Sequence, residues 1–149
     1  MKIVESFDKI DGEDFAGLQL FIDDDNFVKF YISDSLHCCE EYGYYGYEVE
    51  GEKIVPLIKE LEGGIIRGVS WIPISKIRNA PVNKKHEEEI VGIEIKVLDD
   101  NKMRCFHFIS YLYGNNGAYD HLIFVKWNYK IRSQKVFNEE KQFISNKYF

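Results

Sequence analysis

Two pairs of residues in this chain have the types and spacing of metal ligands: His37 with Cys39, and Cys105 with His107. In an extended chain successive side chains point to opposite faces, so residues two apart share a face. On neighbouring strands the four would make a His₂Cys₂ set, the tetrahedral nitrogen–sulfur environment that zinc prefers. Nothing in the sequence makes those strands neighbours. Met103 and Ile109 share the Cys105/His107 face, so the competing reading is a partly buried cysteine and a hydrogen-bonded histidine on an apolar surface. We therefore assign no metal and no cofactor from sequence. The same alternation separates Cys38 from Cys39, and no C-x-x-C spacing is present, which excludes a thiol–disulfide motif.

The histidine–cysteine pair runs into Tyr42, Tyr44, Tyr45 and Tyr47, spaced by Gly43 and Gly46. Tyrosine presents a large ring and a polar tip, so clustered tyrosines suit a binding rim, and glycine lets a partner approach the backbone. The alternative is a strand whose rings pack on their neighbours. A second such stretch, SYLYGNNGAYD at 110–120, places Tyr113, Asn115, Asn116 and Tyr119 around an Asn-Gly turn. Asparagine amides both donate and accept, as reading the edge of a base requires. Arg67 and Arg104 fall within expected strands, and a guanidinium forks onto phosphate oxygens. The ligand-binding candidates are thus His37, Tyr42, Tyr44, Tyr45, Arg67, Arg104, Tyr113, Asn115, Asn116 and Tyr119.

Signatures of catalysis are missing. There is no phosphate loop, no dinucleotide-binding glycine fingerprint, no H-E-x-x-H and no G-x-S-x-G. The carboxylates stand in solvated runs rather than as a spaced acid–base pair. A hydrolase using His37, Glu40 or His121 is the enzymatic alternative, and no residue is assigned a catalytic role.

The formal charge of −6 argues against non-specific binding to nucleic acid or to an anionic membrane, both of which require a basic surface. The N-terminal residues lack the apolar core of a signal peptide, and no apolar run approaches a membrane span of about 20 residues. A cytoplasmic protein with reduced thiols is expected.

The elements that must position these groups read as strands. Residues 17–22 and 27–32 alternate around Asp23-Asp24-Asp25-Asn26, which predicts a hairpin. Val91, Ile93, Ile95 and Val97 alternate with Gly92, Glu94 and Lys96. Asp99-Asp100-Asn101 then turns the chain, and residues 102–109 return. Strands are also expected at 65–72 and 122–127, with a polar loop over 75–89. Residues 55–61 predict a short helix opened by Pro56 and stopped by Gly63-Gly64, and Asn138 predicts a capped helix in the tail. The fold class is α+β: a single domain over 1–149, dominated by an antiparallel hairpin meander open to barrel-like curling, with one or two short helices. Residues 129–149 form an aromatic arm suited to making a homo-oligomer.

With Cys38-Cys39-Glu40 following an aspartate-rich hairpin, and Asn116-Gly117-Ala118-Tyr119 preceding a last strand ending near Trp127, the chain resembles a family of small phage and bacterial proteins. The resemblance spans roughly residues 15–128, and the insertion at 75–89 and the tail depart from it. It implies a small phage-encoded protein acting in the host cytoplasm. The function expected is a non-enzymatic binding protein, an anti-defence sponge for a nucleotide-derived immune signal. The alternative partner is a host defence protein, inhibited through an acidic, tyrosine-rich surface.

Overall fold

The computed structural model describes residues 2–10, 12–33, 41–57, 60–61, 63–80, 88–113, 122–130 and 136–144. For residues 10, 41, 88–89, 113, 122–124, 130 and 136–144 it describes the backbone path alone. Within them the chain forms strands β1 (Lys2–Ile10), β2 (Glu13–Asp23), β3 (Asn26–Ser33), β4 (Glu41–Glu50), β5 (Lys53–Pro56), β6 (Ile65–Trp71), β7 (Glu88–Asp99), β8 (Lys102–Tyr113), β9 (Leu122–Lys130) and β10 (Val136–Ile144). A 3₁₀ turn, Ile74–Lys76, lies between β6 and β7.

The strands form two five-stranded antiparallel sheets, ordered β1-β2-β3-β9-β10 and β5-β4-β8-β7-β6. The expected meander is present locally in β1-β2-β3 and β6-β7-β8. Two non-local pairings, β3 with β9 and β4 with β8, close each sheet. The sheets stack rather than curl into one closed barrel. Their facing surfaces carry the main core, in which Leu20, Val28, Phe30, Ile32 and Val125 of the first sheet meet Ile66, Ile93, Ile95, Phe106 and Phe108 of the second. All ten are at most 1% exposed. Burying such a side chain contributes about 1.5–3 kcal/mol relative to leaving it in water. The alternation along β7 explains its contribution: Ile93, Ile95 and Val97 face the core, and Glu94 and Lys96 face outward.

The predicted turns are where the sequence places them. The Asp23 carboxylate accepts from the Asp25 backbone N–H and from the Asn26 amide, both at 2.8 Å, which fixes the first hairpin. Asp100 and Asn101 both adopt positive φ, 45° and 64°, as a tight hairpin between β7 and β8 requires.

Three expectations are corrected. Residues 55–57, the described start of the helix expected at 55–61, are not helical. Val55 and Pro56 end β5, which pairs with the end of β4, so that Pro56 sits opposite Tyr47 on an edge strand with no further neighbour among the described residues. Proline is tolerated there because an edge residue need not donate outward, while Leu57 and Leu61 still turn into the core. The tail does not form a capped helix from Asn138. Val136–Ile144 pairs along the whole of β9, and a ladder of that length outweighs a cap worth roughly 1 kcal/mol. With no α-helix among the described residues, the α+β assignment gives way to an all-β, two-sheet sandwich. No helix among the described residues is long and apolar enough to cross a membrane.

Candidate functional site

Chemistry-bearing groups gather on the outer face of the second sheet, the side turned away from the main core. The register of β4, β8 and β7 aligns Tyr47, His107 and Glu94 as one rung across three strands. The next rung is Val49, Cys105 and Lys96. On the other side lies Tyr45, Ile109 and Gly92. An outer face is normally wet, yet Ile109 is fully buried and His107 is only 7% exposed.

The cover is the segment from Ile72 to Ala80. The Ile72 N–H donates to the Gly92 carbonyl at 2.9 Å, and Ile72 and Ile77 lie against Tyr47, Ile109 and their neighbours in a second, smaller apolar cluster. Arg78 fastens the far end. Its N–H donates to the Tyr47 hydroxyl at 3.0 Å, its carbonyl accepts from the Tyr45 hydroxyl at 2.9 Å, and its guanidinium donates to the Glu52 carbonyl. The segment is a strap buckled at one residue.

Beneath the strap, His107 is held from both sides. Nδ1 lies 3.0 Å from the Tyr47 hydroxyl and Nε2 lies 3.0 Å from Glu94 Oε2. Proton bookkeeping selects the tautomer. An ionised carboxylate only accepts, so Nε2 carries the proton and donates to Glu94. Nδ1 then accepts from the Tyr47 hydroxyl, whose oxygen accepts in turn from Arg78 N–H. Burial pushes the Glu94 carboxyl up, but hydrogen bonds from His107 and Cys105 outweigh it and hold it below its ordinary value. Burial, with the Glu94 charge beside it, pushes the Cys105 thiol up to about 12. Cys105 is therefore a protonated thiol here, a poor nucleophile without a further positive charge.

A second polar group closes one end of the sandwich. Arg104 grips Glu48 with two parallel hydrogen bonds, Nε–Oε1 at 2.5 Å and Nη2–Oε2 at 2.8 Å, and reaches Asp99 Oδ2 at 3.3 Å. The Glu48 side chain is 2% exposed and that of Arg104 is 13% exposed. The guanidinium also lies over the Phe106 ring, 5.6 Å from its centroid. The Glu48 bond, against the opposing pull of burial, raises the Arg104 pKa further.

The candidates read from sequence are dispersed by this arrangement. Tyr42 and Tyr44 turn inward and pack against the main core. Tyr45 points outward into the strap cluster, its ring 6.2 Å from those of Tyr47 and Tyr111. Gly43 leaves room for the Tyr111 ring, which an added methyl would meet, so this glycine admits a neighbouring side chain. Arg104 is engaged as described. Arg67 occupies a bulge in edge strand β6, between Ile66 and Gly68, and no described carboxylate pairs with it. His37, Cys39, Asn115, Asn116 and Tyr119 lie outside the described residues, as does the Tyr113 side chain.

Of the four zinc candidates, Cys105 and His107 do share a face, and Glu94 stands beside both. Among the described residues these three converge, with one ligand atom from each lying within 4.8 Å of the others. Sequence reading missed Glu94 and Tyr47 as partners of His107. The available signal was the wet-face position of Glu94 in β7, but choosing its partner requires the β7–β8 register. No family model, no curated protein and no solved structure matches this chain.

Proposed function

We propose that this chain is a non-enzymatic binding protein that captures a small anionic, nucleotide-like ligand. The observation that carries the reading is the contrast between its two strand arginines. Arg104 is spent on Glu48 and Asp99, whereas Arg67 stands at an edge-strand bulge with no carboxylate partner among the described residues. Bulges re-aim side chains and recur beside binding sites, and a guanidinium at such a place is a ready phosphate fork. Trp71, at the end of the same strand, packs at 73° to the Phe30 ring. It remains 37% exposed, which leaves aromatic surface near that edge for a base. The non-catalytic half of the reading is supported by His107, whose two ring nitrogens are both engaged. A general base needs a nitrogen within reach of substrate.

Native mass spectrometry of the gently purified chain, before and after denaturation, tests this. A nucleotide-sized mass released on denaturation, and absent from Arg67→Ala, is the expected result. A bare chain that also ignores a panel of nucleotides in thermal-shift assays overturns it. A protein partner is the alternative outcome of the same experiment. A retained host protein, with no small molecule, would select it.

A further inference from the structure

We propose that Glu94, Cys105 and His107 form a three-ligand Zn²⁺ site beneath the Ile72–Ala80 strap, with Tyr47 positioning the histidine. Two proton donors, the Cys105 thiol and His107 Nε2–H, converge on one carboxylate. One divalent cation at that point replaces both protons and binds all three groups at once. The ligand atoms lie within 4.8 Å of one another. Zinc bonds of about 2.0–2.3 Å place tetrahedral ligands roughly 3.3–3.8 Å apart. Glu94 Oε2 already lies 3.0 Å from His107 Nε2, and the Glu94 side chain, 29% exposed, has room to adjust to a shared ion.

The donor set decides the metal. One thiolate, one imidazole and one carboxylate suit zinc, whereas magnesium and calcium take oxygen alone. Three protein ligands leave a fourth position for water or a ligand, reached from the side on which Glu94 is exposed. Lys96, 3.8 Å from Glu94 and 56% exposed, stands at that rim and can swing into solvent.

The protons balance. The Cys105 thiol proton leaves for solvent as the sulfur binds. His107 releases the Nε2 proton to solvent and takes one from solvent on Nδ1. The Tyr47 hydroxyl turns its own proton away so that its oxygen accepts from Nδ1–H. That hydrogen bond is the outer contact a zinc-bound histidine needs to fix its ring. Because Tyr47 also accepts from Arg78 N–H, the strap holds the ligand's orienting group in place.

Cobalt(II) titration of the full chain, with thiols kept reduced by a phosphine, reads the site directly. One Co²⁺ per chain, displaced by Zn²⁺, with a thiolate-to-cobalt charge-transfer band is expected. Cys105→Ser should lose the band. Tyr47→Phe should keep it while the affinity falls by about 10- to 100-fold, the usual effect of removing an orienting contact. Absence of the band in the wild-type chain overturns the proposal without any variant having to fold. A band that survives in Cys105→Ser also overturns it, because the thiolate then comes from elsewhere in the chain.

Discussion

Glu94 stands directly across the β7–β8 ladder from His107, and its Oε2 accepts from His107 Nε2 at 3.0 Å. Tyr47 closes the other side of the ring from β4. A histidine on the outward face of a sheet thus becomes a buried link between three strands and the strap that covers them.

Tyr47→Phe keeps the ring and removes the hydroxyl. Both Arg78 N–H and His107 Nδ1 lose a partner, and Nδ1 is left buried. A cost of about 1–3 kcal/mol is expected for the orphaned groups. Urea unfolding measures it, and limited proteolysis should find the Ile72–Ala80 strap cut sooner than in the wild-type chain.

Arg104→Met strands the Glu48 carboxylate at 2% exposure. Breaking a buried pair from one side costs about 3–5 kcal/mol. Replacing both partners, as Glu48→Gln with Arg104→Met, should recover most of that loss, because the desolvated charge is gone. Denaturation midpoints of the two variants check this. A double variant no more stable than the single one would show that Arg104 acts mainly by packing on Phe106.

Tyrosine ionisation sets an alkaline limit. Burial, with Tyr47 and Tyr111 beside it, pushes the Tyr45 hydroxyl from its ordinary 10.0 up to about 12. Burial also raises Tyr31, against the opposing bond to Ser6. A raised pKa means that the folded chain keeps a proton which the unfolded chain loses, so the unfolded state gains as pH climbs. The stability these groups contribute is complete below pH 10 and declines as pH rises from 10 toward 12. Ultraviolet titration should show tyrosines ionising late, together with unfolding, and Tyr45→Phe should lessen the alkaline loss.

Two glycines predict opposite outcomes. A methyl at Gly17 would run into the Phe30 carbonyl oxygen on the adjacent strand, whereas a methyl at Gly68 meets nothing within 4 Å. Gly17→Ala must push β2 off β3 and should cost about 1–3 kcal/mol or more. Gly68→Ala should stay within about 0.5 kcal/mol of the wild-type chain. Thermal unfolding of the two variants separates them.

Local signals were legible where they are strong. The alternation from Val91 to Val97 marks β7, and the Asp-rich turns at 23–26 and 99–101 mark two hairpins, because period and turn chemistry depend only on neighbours. The failures are the weak local signals. A proline followed by Leu57 and Leu61 suits the first turn of a helix or the end of an edge strand, and a sheet edge was there to take it. Asn138 can cap a helix, but β9 offered a full ladder instead. Short helices are marginal without tertiary support, so such signals lose to pairing.

The candidate site divides in the same way. By itself the sequence determined that Cys105 and His107 share one face of a strand, since alternation is a property of the extended backbone. It also determined that Glu94 lies on the wet face of the next strand. Only the tertiary structure decided that β4 and β7 flank β8 in a register that lines up Tyr47, His107 and Glu94, and that Arg104 turns inward to Glu48. Those choices join residues 13 to 60 positions apart, and they are made by burial and hydrogen bonding across the whole molecule, which no short stretch of sequence encodes.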